Sequence, residues 1–285
     1  MPCWLRTPPA RYLLEWEQSQ LDLQVADVFG FHAVQLGLAE LEGLRANRMP
    51  HRWLIQPALL SGADSAVQPS VGADGQAPQG PREVAVCCDF DALPFATQSL
   101  DLVVLPHTLE LARDPHQTLR EVDRVLVPEG RVVILGFNPR SLWGARQWAG
   151  RCALRLGAAP EGGALFLPQA GELIAPRRLR DWLRLLSFEV DRGSFGCYRP
   201  PLRSQAWLER LAWVEQAGDR WWPALGAVYA FSAVKRVRGM RLIEPAWRKA
   251  QKTRRTPAVV SQRQRAPAPQ PAESLESLEQ RKSAP

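Results

Sequence analysis

The sequence predicts an α/β fold: a doubly wound, mostly parallel sheet of seven strands with helices packed on both faces. Two observations carry this. Several apolar runs, "EVAVCC" (83–88), "LDLVVL" (100–105) and "GRVVILGF" (130–137), do not alternate with polar residues, as strands buried on both faces require. Segments with helical periodicity separate these runs, the pattern of crossover connections in a covered parallel sheet.

In chain order, "ARYLLEWEQSQLDLQVADVF" (10–29) spaces Leu13, Leu14, Leu21, Val25 and Val28 for an amphipathic helix. "HAVQLG" (32–37) reads as a short strand closing on glycine. "LAELEGLRA" (38–46) reads as a short helix and "HRWLI" (51–55) as the second strand. Residues 57–82, rich in Ala, Gly, Pro, Ser, Gln and Asp, bury too little apolar surface to offset their ordering entropy and read as a low-complexity loop. After the third and fourth strands, "DPHQTLREVDRVL" (114–126) begins with an Asp N-cap and a Pro at the first helical position. A strand (130–137), a helix (175–188) and strands 189–198 and 226–236 complete the domain, placed at 10–240. The tryptophans Trp207, Trp213, Trp221 and Trp222 fall between the last two strands and read as core or lid packing.

Charge divides the chain. The net charge is +7 over 285 residues. Residues 236–285 hold 12 of the 36 basic and 4 of the 29 acidic side chains, a local +8 that leaves −1 elsewhere. The basic, Pro/Gln/Ser/Ala-rich stretch 245–285 reads as a disordered tail, with nucleic-acid contact through it left open. Five cysteines without a CxxC pair suggest reduced, buried thiols, neither a disulfide framework nor a zinc site. No stretch reaches the roughly 18 uncharged apolar residues of a membrane span, and the first residues lack a secretory apolar core, so a cytoplasmic protein is expected.

The chemistry concentrates at two strand ends. In an open doubly wound sheet, ligands sit outside the carboxyl ends of the strands. "CCD" ends the third strand on Asp89, where a carboxylate can accept from an exocyclic amine. The fourth ends on Pro106-His107, at the same rim.

The stretch "CDFDALPFATQSLDLVVLPHTLELARDPHQTLREVDRVLVPEGRVVILGFNP" resembles the second half of a class I S-adenosylmethionine (SAM)-dependent methyltransferase domain of the type 11 group. The resemblance implies a Rossmann-like class I methyltransferase fold, SAM as methyl donor and an unidentified acceptor, expected to be a small molecule. It also implies roles. Asp89 matches the acid that binds the adenine amino group, Phe90 lies beside the ring, and Asp91 matches the second acid of the turn. Pro106 and His107 match positions flanking the sulfonium and substrate, with His107 as the candidate general base. Gly37 matches the first glycine of the cofactor loop, where a Cβ would intrude. "DVFGF", with Asp27 and Gly30, is the rival alignment of that motif.

Departures accompany these matches. Gln35 stands where the family carries an acid on the sulfonium side, and Leu38-Ala39 replace the next glycine. Gln56 replaces the acid that clasps the ribose hydroxyls. These losses support an alternative in which the fold binds a ligand or partner without catalysis. Asp89 and the "LPF" turn argue for the enzyme. Glu110 and Glu121 read as solvated or helix-pairing residues, and His32, His51 and His116 as surface or packing residues.

Overall fold

The computed structural model describes residues 2–57, 84–157, 165–167 and 171–237. Helices α1 (Pro2–Leu5) and α2 (Pro8–Val25) precede strands β1 (His32–Leu36), β2 (His51–Gln56), β3 (Val84–Cys87) and β4 (Leu100–Pro106). Then come α3 (Thr108–Leu111), α4 (Pro115–Val125), β5 (Leu126–Phe137), α5 (Leu142–Arg155) and α6 (Pro176–Leu185). The last elements are β6 (Phe188–Gly196), α7 (Gln205–Arg210), α8 (Trp213–Trp221) and β7 (Val228–Lys235).

The seven strands form one sheet in the order β3-β2-β1-β4-β5-β7-β6. β7 runs antiparallel to β5 and β6, and the other pairings are parallel. Chain direction across the sheet reverses between β1 and β4, so this pair marks the switch point.

Both faces of the central strands are buried. Val34, Leu36, Val103, Leu105, Val132 and Ile134 point to one face and pack with residues of α4 and α6. Their neighbours Ala33, Leu102, Val104, Val133 and Leu135 point to the other and pack with Leu21 and Val25 of α2. This two-residue alternation between two apolar layers is why the strands read as continuous apolar runs. Helix α4 starts as its sequence predicts: Asp114 accepts from the main-chain N–H groups of His116 and Gln117, with Pro115 behind it.

Local structure departs from the sequence reading in three places. Residues 38–46 form turns and no helix. The cause is the buried side chain of Gln35, on the α2 face of β1. Its Nε2 donates to the carbonyls of Leu38 and Leu41, each at 2.7 Å, and its Oε1 accepts from Gly43 N at 2.9 Å. Main-chain groups that a helix would use are thus held by a side chain. Helix α5 was not anticipated. And Trp207, Trp213, Trp221 and Trp222 are each more than half exposed, which excludes the core half of the core-or-lid expectation. Against the expectation of buried thiols, Cys197 is buried, Cys88 and Cys152 are half-buried and Cys87 is exposed. His32, His51 and Trp53 stack in a column and His116 packs on Trp182, as packing residues do. The predicted tail, and the loop 57–82 apart from Pro57, lie outside the described residues.

Candidate active site

The carboxyl ends of β1, β2, β3 and β4 form one rim. Gly37 leaves β1 with φ 91°, a backbone conformation L side chains rarely adopt. Its N–H donates to Ile55 O of β2 at 2.7 Å. A Cβ on Gly37 would lie 3.4 Å from Thr108 Oγ1 and 3.7 Å from Phe90 Cζ. A side chain there would point between the Phe90 ring and the first residue of α3, and it is the positive φ that reserves the position for glycine. Thr108 is held there by donating to Leu36 O. Gly30 lies at the opposite end of β1. A Cβ there would meet Asp101 Cβ and Cγ at 2.5 Å, and Asp101 accepts from Phe31 N and His32 N. Gly30 packs two strand starts and has no place on the rim, so the rival alignment fails.

Gln56 ends β2, one residue beyond the Leu36–Ile55 pair, and is half-buried. Its carbonyl accepts from Cys88 N at 3.1 Å, holding the exit of β3 beside it. Asp89 follows with an exposed side chain, and its carbonyl accepts from Ala92 N to close a turn. Phe90 turns inward to the core.

The turn is fastened from α4. Glu121 Oε2 accepts from Leu93 N at 3.1 Å, and Arg124 donates to Leu93 O at 3.0 Å and Phe95 O at 2.9 Å. Arg124 also pairs with Glu121 at 2.8 Å, which lowers the carboxyl's pKa. Glu121 is thus the helix-pairing residue its sequence suggested, and it also forms part of the architecture behind the rim. Asp91, expected to face the cofactor, instead accepts from Thr118 Oγ1 of α4 at 2.9 Å and anchors the same turn. Gln35 is a second correction: it is buried and spent on residues 38–43, so it does not reach the sulfonium side. Pro106 is buried at the end of β4, paired with Leu135.

His107 is the third correction. It takes a left-handed backbone conformation, φ 54°, directly after β4 and is 2% exposed. Its Nε2 lies 2.6 Å from Glu17 Oε1 of α2 and its Nδ1 3.0 Å from Glu110 Oε2 of α3. The ring stacks on Phe137, whose N–H donates to Glu110 Oε1 at 2.6 Å. Burial pulls the imidazole's pKa down. The charge of Glu17 and the hydrogen bonds to Glu110 and Glu17 outweigh it and lift the pKa to about 10. Burial pushes Glu110 up, while its N–H donors pull the other way. A cationic imidazole with both nitrogens engaged cannot take a proton from an acceptor. His107 is a structural cation, and Glu110 is its buried partner. Sequence reading missed Glu17, yet a signal existed: it interrupts the four-residue apolar spacing of Leu13, Leu21 and Val25 on the buried face of α2.

Gly37, Gln56 and Asp89 put a glycine turn, a half-buried amide and an exposed carboxylate at three neighbouring strand ends. These residues fit the nucleoside half of SAM. The methionine half meets fewer of the family's features, because the turns at 38–46 supply no helix N-terminus after Gly37.

The chain belongs to the class I SAM-dependent methyltransferase superfamily. A family model described as a methyltransferase domain matches residues 65–134. The uncharacterized protein YafS of Escherichia coli (strain K12) is 32% identical over 193 residues, 67% of each chain. Malonyl-acyl-carrier-protein O-methyltransferase of Halorhodospira halophila (strain DSM 244 / SL1) is 40% identical over 75 residues, covering 26% of this chain and 25% of its own. A solved SAM-dependent methyltransferase from Thermotoga maritima is 15% identical over 79% of this chain and 92% of its own, with a TM-score of 0.48.

Proposed function

We propose that the protein binds SAM at the rim of β1–β3 and transfers its methyl group to a small-molecule nucleophile in the cytoplasm. The observation that carries this reading is the positive-φ turn at Gly37 at the switch point, with Gln56 and Asp89 on the neighbouring strand ends, in a methyltransferase-superfamily chain. SAM brings an already activated methyl group, so the protein's task is positioning and exclusion of water. Asp89 accepts from the adenine amino group, Gln56 meets the ribose hydroxyls, and Gly37 lets the main chain approach. With His107 locked as a cation, the acceptor must be nucleophilic without help from that side chain.

Calorimetric titration with SAM, followed by incubation of cell extract with a labelled methyl donor, tests the reading. The expected result is saturable binding and enzyme-dependent label in a low-molecular-weight product. A folded protein that shows no heat of binding through millimolar SAM overturns it in favour of a non-catalytic module.

A further inference from the structure

Helix α5 exposes an apolar stripe that a helix on a solvated surface does not need. Its inward side holds Trp143, Gly144 and Gln147, buried against the body of the protein. Its outward side exposes Leu142, Ala145, Trp148 and Ala149, with Leu156 just past the last turn. Leu142 is 59% exposed, Trp148 69% and Leu156 85%. At 100° per residue these five fall within an arc of about 120°. Arg146 borders the arc on one side and Arg155 on the other. Residues 140–156 contain four arginines and no Asp or Glu.

An apolar stripe edged by arginines, with no acid to repel a negative surface, is the pattern of a helix that lies in the plane of a membrane interface. Tryptophan and arginine suit that position because each has an apolar body and a polar end. A second observation comes from a neighbouring element. The segment 199–201 bonds to α5 through Trp143 Nε1 and Arg146, and Arg199 bonds onward to Leu208 O of α7. On α7 and the α8 region, Trp207, Trp213, Trp221 and Trp222 stand exposed, and Arg210 lies over the Trp207 ring. Among the described residues no helix is long and apolar enough to cross a membrane, so the contact is peripheral.

We infer that α5 is a docking surface for an anionic phospholipid bilayer: its apolar stripe enters the interface and its arginines meet the lipid phosphates. Anionic lipid is the partner because residues 140–156, which carry the stripe, hold four arginines and no acid. The helix leaves the rim at the end of β5, so docking brings that side of the rim to the lipid surface.

The test uses the full chain and vesicles of zwitterionic lipid with and without a quarter of anionic phosphatidylglycerol. A matching set carries bromine on the acyl chains to quench tryptophans that enter the interface. The expected result is co-sedimentation that requires the anionic lipid, with tryptophan quenching. Leu142→Asp and Leu156→Asp, both at exposed positions, should each lower vesicle binding about tenfold at unchanged melting temperature. Trp148→Phe should keep binding but lose part of the quenching. The basic stretch 236–285 gives a different pattern: anionic-vesicle binding that salt abolishes, with no quenching and no response to the Leu→Asp changes. That pattern overturns the inference, as does absence of vesicle binding. A concentration-dependent dimer in sedimentation velocity that Leu156→Asp abolishes also overturns it, since the stripe then covers a second copy of the chain.

Discussion

Asp89 and Gly37 carry the ligand reading at the scale of single residues, and each can be removed without disturbing the other. Asp89 is exposed at the end of β3 and its side chain holds no strand in place, so Asp89→Ala should fold normally. Losing a charge-assisted hydrogen bond costs on the order of 1.5–3 kcal/mol, which predicts at least a tenfold weaker SAM dissociation constant by calorimetry. An unchanged constant removes Asp89 from the site. Gly37→Val places a β-branched side chain at φ 91°, beside Thr108 and Phe90. It should cost about 1–3 kcal/mol of stability and abolish SAM binding. Gly30→Val is the control, because its bulk lands on Asp101 at the far end of β1. The melting temperature should fall while the residual folded protein keeps its SAM constant. The reverse outcome for the two glycines would move the cofactor loop to Gly30.

At the scale of elements, α4 works as a clamp on the turn that presents Asp89 and Phe90. Arg124→Ala frees the carbonyls of Leu93 and Phe95 and leaves Glu121 without its cation, a loss of about 1–3 kcal/mol. SAM affinity should weaken severalfold with it. Asp114→Ala removes only the N-cap of the same helix, about 1 kcal/mol, and should leave SAM affinity alone. If both variants lose stability but neither changes affinity, the turn is no part of the site. The same helix shows what the sequence makes legible. Its Asp-Pro start is a local signal, and the buried strands are local too, because their pattern depends only on which faces are covered. The segment 38–46 was illegible because its conformation is decided by Gln35, whose amide captures groups up to eight residues ahead. Helix α5 was illegible for a different reason: its outward face is apolar, so the polar stripe that defines an amphipathic helix is missing. The positions of Gly37, Gln56 and Asp89 on one rim were readable from strand ends. The inward turn of His107 and the burial of Gln35 were not, since they depend on α2 closing over that face.

At the scale of the whole molecule, the buried Glu17–His107–Glu110 cluster ties three distant parts of the chain together: α2, the exit of β4 and, through Phe137 N, the end of β5. Helix α2 is therefore tied directly to the rim, and the link has a pH signature. The folded pKa of His107, about 10, stands above the value near 6.5 that a histidine has in an unfolded chain. Its contribution is complete below pH 6.5 and is lost as the pH rises through 10, because across that range the unfolded state has released a proton that the folded state retains. Glu110, also raised, contributes with the same sign. The raised thiols Cys88 and Cys197 and phenols Tyr12, Tyr198 and Tyr229 begin to count only near and above their ordinary values, so pH 7 to 8.5 isolates the cluster. One pKa unit corresponds to about 1.4 kcal/mol, which bounds the loss over this window at about 2 kcal/mol. Chemical denaturation at several pH values should show stability falling across it. Glu17→Gln removes the charge that holds the proton on His107. The variant should be less stable at pH 6 and nearly flat from pH 7 to 8.5, with the folded pKa of His107 moved toward 6.5. A parent protein whose stability does not change in that window, or a Glu17→Gln variant that keeps the parent's slope, would mean that His107 is neutral in the fold and that α2 is held to the rim by packing alone.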